Sequence, residues 1–160
     1  MKKNIYVLIF GAALTFFNSC QKADKNESCD VRTETISASN SELLKVYMEN
    51  EHPEAAYHAD GFYYEIVAAG TGKSPNACSE VVVNYQGSLT NGTIFDKSTN
   101  QQFGLNSLIL GWRLGMPLIK PGGIIILYLP PELAYGSTGV HNLIPGNAIT
   151  IFNIELLESI

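Results

Sequence analysis

The sequence predicts an α+β fold, a sheet with one short helix packed across it. After residue 61, four apolar segments lie between Gly, Pro and Asn turn signals, whereas only the stretch around Trp112 is apolar at helical spacing. The 160-residue chain is 46% hydrophobic and only 16% charged, a composition that buries a core. A net charge of −5, with no basic stripe, argues against nucleic acid as a partner.

The elements follow in order. Residues 1–19 have a Lys2-Lys3 start, an apolar run from Ile5 to Phe17 and then small polar residues, the pattern of a secretory signal peptide. The run is short for a membrane-spanning helix. Cys20, directly after Phe17-Asn18-Ser19, resembles the lipobox cysteine of bacterial lipoproteins, which is lipidated after the signal is cut; the alternative is an ordinary secreted protein. The resemblance implies an extracytoplasmic protein held on a bacterial membrane only by its lipid, facing the periplasm or lying at the outer-membrane surface. Residues 20–40 are polar without apolar period and read as a flexible tether. Residues 41–60 hold a short helix and a connector: Leu43, Leu44, Tyr47 and Met48 recur at helical spacing over Ser41–Asn50, and Pro53 marks the latest end.

From residue 61 the texture is β-rich. "FYYEIVA" runs to a Gly-Thr-Gly turn, and "EVVVNYQGSL" alternates Val81, Val83 and Tyr85 on one face with Val82, Asn84 and Gln86 on the other. "TNGT" is an Asn-Gly turn signal. "SLILGWRLGM" is a short helix that Pro117 should stop or kink. "GGIIILYL" is apolar throughout, as in a strand buried on both faces, and "AITIFNIELL" is the last strand, with Phe152, Ile154 and Leu156 sharing a face. Between the last two strands, "PPELAYGSTGVHNLIP" offers no nucleophile and no metal-ligand pair, so neither metal nor cofactor is expected.

Six motifs in order carry a resemblance over residues 61–160: "VVVNYQGSLTNGTIFD", "LILGW", "GMPLIKPGG", "LPPELAYGSTG", "LIP" and "FNIELL". Together they resemble the FKBP-type peptidyl-prolyl isomerases. The resemblance implies a twisted antiparallel sheet wrapped around a short α-helix, here with an N-terminal helical appendage. It also implies an activity: rotation about Xaa-Pro bonds of exported proteins, the twisted amide being held in an aromatic pocket. The alternative is a peptide-binding or chaperone module that has lost catalysis.

By that resemblance Trp112 is the pocket floor beneath the proline ring, and Tyr85, Phe95, Phe103 and Phe152 are walls. Asp96 stands at the edge, hydrogen-bonded to Tyr85 and facing the substrate carbonyl. Leu108 and Ile109 match a pair whose second backbone N–H binds a ligand carbonyl, and the Tyr135 hydroxyl donates to another. Leu143 and Ile144 form the tip that closes over the proline. The assignment makes Asp96, Tyr135, Trp112 and Phe152 the catalytic set and the others substrate-binding. Gly87, Gly92, Gly111, Gly122 and Gly136 read as turn and close-packing residues.

The sequence also departs from the family pattern. "DKSTNQQF" (96–103) is several residues shorter than in compact members and lacks the arginine that braces the aspartate. Two more residues are missing between Leu105 and Leu108, and Val140 stands where histidine is common. These changes bear on macrolide affinity, so only weak macrolide binding is expected. The remaining cysteines, Cys29 and Cys78, would sit in an oxidising compartment and are expected to pair, the alternative being two unpaired thiols.

Overall fold

The computed structural model describes residues 34–160; residues 1–19, Cys20 and Cys29 lie outside the described residues. A single apolar run organises the fold. Gly123–Leu129 forms β5, in which Ile125, Leu127 and Leu129 face one way and Ile126 and Tyr128 the other. Both sides are covered, which is why the run lacks the alternation of a half-exposed strand.

On the inner side lies the main core. It joins β5 to β2 (Phe62–Ala68), β3 (Glu80–Leu89) and β6 (Thr150–Ser159) through Phe62, Val81, Val83, Ile125, Leu127, Phe152, Ile154 and Leu156. A short helix closes this side: α2 (Leu110–Gly115) ends in a 3-10 turn, Met116–Leu118, that contains Pro117. Gly111 and Gly115 are four residues apart and face β5. A Cβ on Gly115 would lie 2.6 Å from Leu127 Cδ2, and one on Gly111 would overlap the Leu129 side chain. The two glycines let the helix lie directly on the strand, which sets the depth of Trp112 between them.

On the outer side, α1 (Ala38–Glu51) lays Leu44 and Met48 over Tyr128, with Tyr47, Tyr63, Ile126, Ile149 and Ile151 packed around them. Burying two such side chains contributes about 1.5–3 kcal/mol each. The C-cap His52 adds a polar lock: Tyr128 donates its hydroxyl proton to Glu65 Oε1 at 2.6 Å, with His52 Nδ1 3.0 Å from the same hydroxyl.

All six strands pair antiparallel in the order β1-β2-β5-β6-β3-β4. Two of them, β1 (Ala56–His58) and β4 (Ile94–Gly104), were not anticipated. Both are edge strands. The polar β4 sequence "IFDKSTNQQFG" needs no second buried face, and charge on an edge discourages pairing with other chains. The β3–β4 hairpin does turn at Thr90–Thr93, as the Asn-Gly signal requires, with Thr93 N–H donating to Asn91 Oδ1 at 3.0 Å.

The N-terminal boundaries also differ from the sequence reading. Helix α1 begins at Ala38, inside the stretch expected to be tether, because Ser37 caps it: the Ser37 side chain accepts from Asn40 N–H at 3.3 Å. Ile36 packs against the main core and meets Gly61, so packing on the core already includes that residue. The connector after α1 contains β1, and the sheet therefore starts before residue 61.

Candidate active site

The aromatic group is assembled from the middle of the sheet outward. Register places Gly87 of β3 between Asp96 of β4 and Phe152 of β6. With no side chain there, the rings of Phe95 and Phe152 approach across the strand; a Cβ on Gly87 would stand 2.6 Å from Phe95 Cε2 and 2.9 Å from Phe152 Cε1. The two rings meet edge to face at 5.6 Å and 80°.

Trp112 forms the base of this group and is 3% exposed. Three rings meet it edge-on: Tyr85 at 5.3 Å and 82°, Phe152 at 5.5 Å and 85°, and Phe103 at 6.2 Å and 88°. Tyr135 closes the far side against Phe95 at 5.9 Å and 84°. Such T-shaped pairs contribute about 0.5–1.5 kcal/mol each beyond area burial, so the rings hold one another in place. The Trp112 Nε1 is buried without a hydrogen-bond partner among the described residues. That is a cost of about 1–3 kcal/mol that a purely structural indole would avoid.

Polar groups enter only at the rim. Tyr85 donates its hydroxyl proton to Asp96 Oδ2 at 2.8 Å. Burial first, then this hydrogen bond and the Asp96 charge, push the Tyr85 phenol up to about 12. Burial and the same carboxylate also raise the Tyr135 phenol, so Asp96 faces both hydroxyls while remaining solvent-exposed itself. No hydrogen bond holds the Tyr135 hydroxyl among the described residues. Ile109 caps α2, Leu108 ends the 3-10 turn before it, and both side chains pack on the main core. The Ile109 N–H makes no hydrogen bond among the described residues and stays free to donate.

The structure thus brings together Tyr85, Phe95, Asp96, Phe103, Trp112, Tyr135 and Phe152, with Leu108 and Ile109 beside them. Leu143 and Ile144 lie in the loop after Tyr135 and divide their roles: Ile144 is buried at 5%, its N–H bonded to Val140 O, while Leu143 is 55% exposed at the tip. The shortened 96–103 stretch is a continuous part of β4. It turns at Asn100, which has a positive φ of 52° and donates its N–H to Asn84 Oδ1 at 2.8 Å. Cys78 is disulfide-bonded, and its expected partner Cys29 lies outside the described residues.

Three residues escaped the sequence reading. Leu127 and Leu129 back the floor through the paired glycines; the spacing in "GWRLG" was the available signal. Glu132, just before Tyr135, reaches the start of α1, and nothing local in the sequence announces it. Among the described residues no group of three His, Cys, Asp or Glu could hold a metal ion.

Residues 72–157 match the family model described as FKBP-type peptidyl-prolyl cis-trans isomerase. The chain is 43% identical over 125 residues to the peptidyl-prolyl cis-trans isomerase Mip of Coxiella burnetii, covering 74% of this chain and 54% of Mip. It is 38% identical over 143 residues to FkpA of Escherichia coli K12, covering 86% and 53%. The chain therefore spans about half the length of these relatives. The crystal structure of Escherichia coli FkpA superposes with a TM-score of 0.69 at 40% identity, covering 76% of this chain and 60% of that one. A peptidyl-prolyl isomerase from Pseudomonas syringae gives 0.69 at 32%, covering 80% and 98%. With the motifs, the sheet and the ringed tryptophan in agreement, the chain belongs to the FKBP-type peptidyl-prolyl cis-trans isomerase family.

Proposed function

We propose that this chain is a peptidyl-prolyl cis-trans isomerase acting on Xaa-Pro bonds of exported proteins. The observation that carries the reading is the aromatic box on Trp112 with the Tyr85–Asp96 pair at its rim. Conjugation holds a peptide C–N bond planar with a barrier of about 18–20 kcal/mol. Twisting breaks that conjugation and leaves a less dipolar amide with a more basic nitrogen. A dry aromatic enclosure disfavours the planar dipolar form more than the twisted one, which is differential binding of the transition state.

In this reading the proline ring lies on Trp112 between Phe95, Phe103 and Phe152. The free Ile109 N–H and Tyr135 hydroxyl hold neighbouring carbonyls, and Asp96 faces the carbonyl that rotates. A thousandfold acceleration needs only about 4 kcal/mol, within reach of such a site. A protease-free assay on proline tetrapeptides tests the reading. Acceleration at micromolar protein supports it; a folded sample that binds the peptides without acceleration leaves the binding-module alternative standing.

The same proposal places the protein outside the cytoplasm on a lipid carried by Cys20, supported by the signal-like residues 1–19. Cys20→Ser should release it from membranes, and continued membrane fractionation would refute lipidation. Macrolide binding should be weak, since 96–103 stays within the edge strand β4, irregular only at Asn100, with no loop left to cover a bulky ligand.

A further inference from the structure

We propose that Glu132 is a positioning residue of this site, clasping the start of α1 to the turn that carries Tyr135. The inference rests on the isomerase reading above and adds the N-terminal appendage to its working parts. Glu132 lies in the 3-10 turn Pro131–Leu133. One of its carboxylate oxygens accepts from both Ser37 N–H at 3.0 Å and Asn40 Nδ2 at 2.8 Å, across more than ninety residues of sequence. The other oxygen, Oε2, is buried with no hydrogen-bond partner among the described residues.

A carboxylate half withdrawn from water is costly unless other groups compensate it. Here two donors and the positive end of the α1 dipole do so. Burial alone would raise this carboxyl, yet the bonds from Ser37 and Asn40 outweigh it and hold the group below its ordinary value. Capping α1 does not require Glu132, because the Ser37 side chain already serves Asn40 N–H. The extra bonds instead tie the helix to the loop.

From Glu132 the connection to the pocket is short. Pro131 O accepts from Ala134 N–H at 2.9 Å and from Gly136 N–H at 2.7 Å, which folds the chain tightly around Tyr135. Ile36 packs on the same core that Ala134 and Tyr135 join. Residues 36–40 precede the family-matched 72–157 segment, so a part of the chain outside the matched domain sets the pose of a ring inside it.

Asn40→Asp is the discriminating variant. It sets a carboxylate against Glu132, yet an acid in the first turn of a helix is favourable in itself, so a purely helical role predicts no loss. We expect kcat/KM on a proline tetrapeptide to fall about threefold to tenfold in folded Asn40→Asp and in Glu132→Ala. Glu132→Gln, which keeps an acceptor oxygen, should restore most of it. In a Tyr135→Phe background, Asn40→Asp should cause no further loss, because it acts through that hydroxyl. The Tyr135 ring resonances of tyrosine-labelled full chain, assigned with Tyr135→Phe, should shift in Asn40→Asp and stay put in Glu132→Gln. Wild-type kcat/KM in folded Asn40→Asp, or losses that multiply with Tyr135→Phe, would overturn the clasp. If the wild-type chain proves inactive, the isomerase reading falls, and an unmoved Tyr135 resonance in Asn40→Asp then refutes the clasp independently.

Discussion

At the scale of single residues, Trp112 and Asp96 separate packing from chemistry. Trp112 is buried and touched by three rings, so Trp112→Ala opens a cavity and should cost about 3–5 kcal/mol together with most of the activity. Asp96 is exposed and its carboxylate is bonded, among the described residues, only to Tyr85, so Asp96→Ala should leave the denaturation midpoint nearly unchanged while lowering kcat/KM. Full activity in that variant removes its proposed role. Tyr85 yields a pH prediction. Its phenol titrates higher folded, at about 12, than the ordinary value of 10.0, so the protonated form is the one the fold favours. The resulting stability is whole below about pH 10 and is lost as pH rises towards about 12. Unfolding measured across that window should fall more steeply for wild type than for Tyr85→Phe, and parallel curves would contradict it.

At the scale of elements, β3 and α2 work by what they leave out. Gly87→Ala should force Phe95 and Phe152 apart and lower activity more than stability, read as kcat/KM beside thermal unfolding. The elements also show what the sequence could tell. Strands β3, β5 and β6 and helix α2 were legible because apolar period and turn residues agree there, and the alternation in β3 put Tyr85 on the inner face. Strand β4 was hidden because an edge strand with polar residues on both faces carries no period-two signal. The seven gathered aromatic and acidic residues were legible only through motif order, since a core tryptophan and a pocket floor obey one burial rule. The covering of Tyr128 by α1 was half legible: Leu44 and Met48 gave the apolar stripe, but no stripe names the surface it meets. Leu44→Ala should cost about 2–5 kcal/mol by denaturation, which an unpacked appendage helix would not.

At the scale of the whole molecule, the appendage and the sheet form one body. The inner core holds the pocket, the outer core holds α1, and β5 belongs to both. A fragment beginning near Asn50 would leave Tyr128, Ile126 and Ile151 uncovered, so it should melt well below the full chain; equal melting temperatures would show that α1 adds nothing. Cys78 lies two residues before β3, in a turn where its N–H donates to Asn76 Oδ1 at 2.9 Å. Reduction of its disulfide should lower the melting temperature and leave isomerisation below the melt unchanged, whereas lost activity at low temperature would tie that bond to the pocket.

The ringed floor has one more consequence. Trp112 is the sole tryptophan in the sequence. Its fluorescence therefore reports on the rings of Tyr85, Phe103 and Phe152 around it, with no second indole to dilute the signal. On the proposed isomerase reading, a proline peptide settling on that ring would change its surroundings directly, and the unlabelled protein would carry its own optical gauge of occupancy. A titration with a proline tetrapeptide should then give a saturable change in that fluorescence, even if the peptide is bound but never turned over.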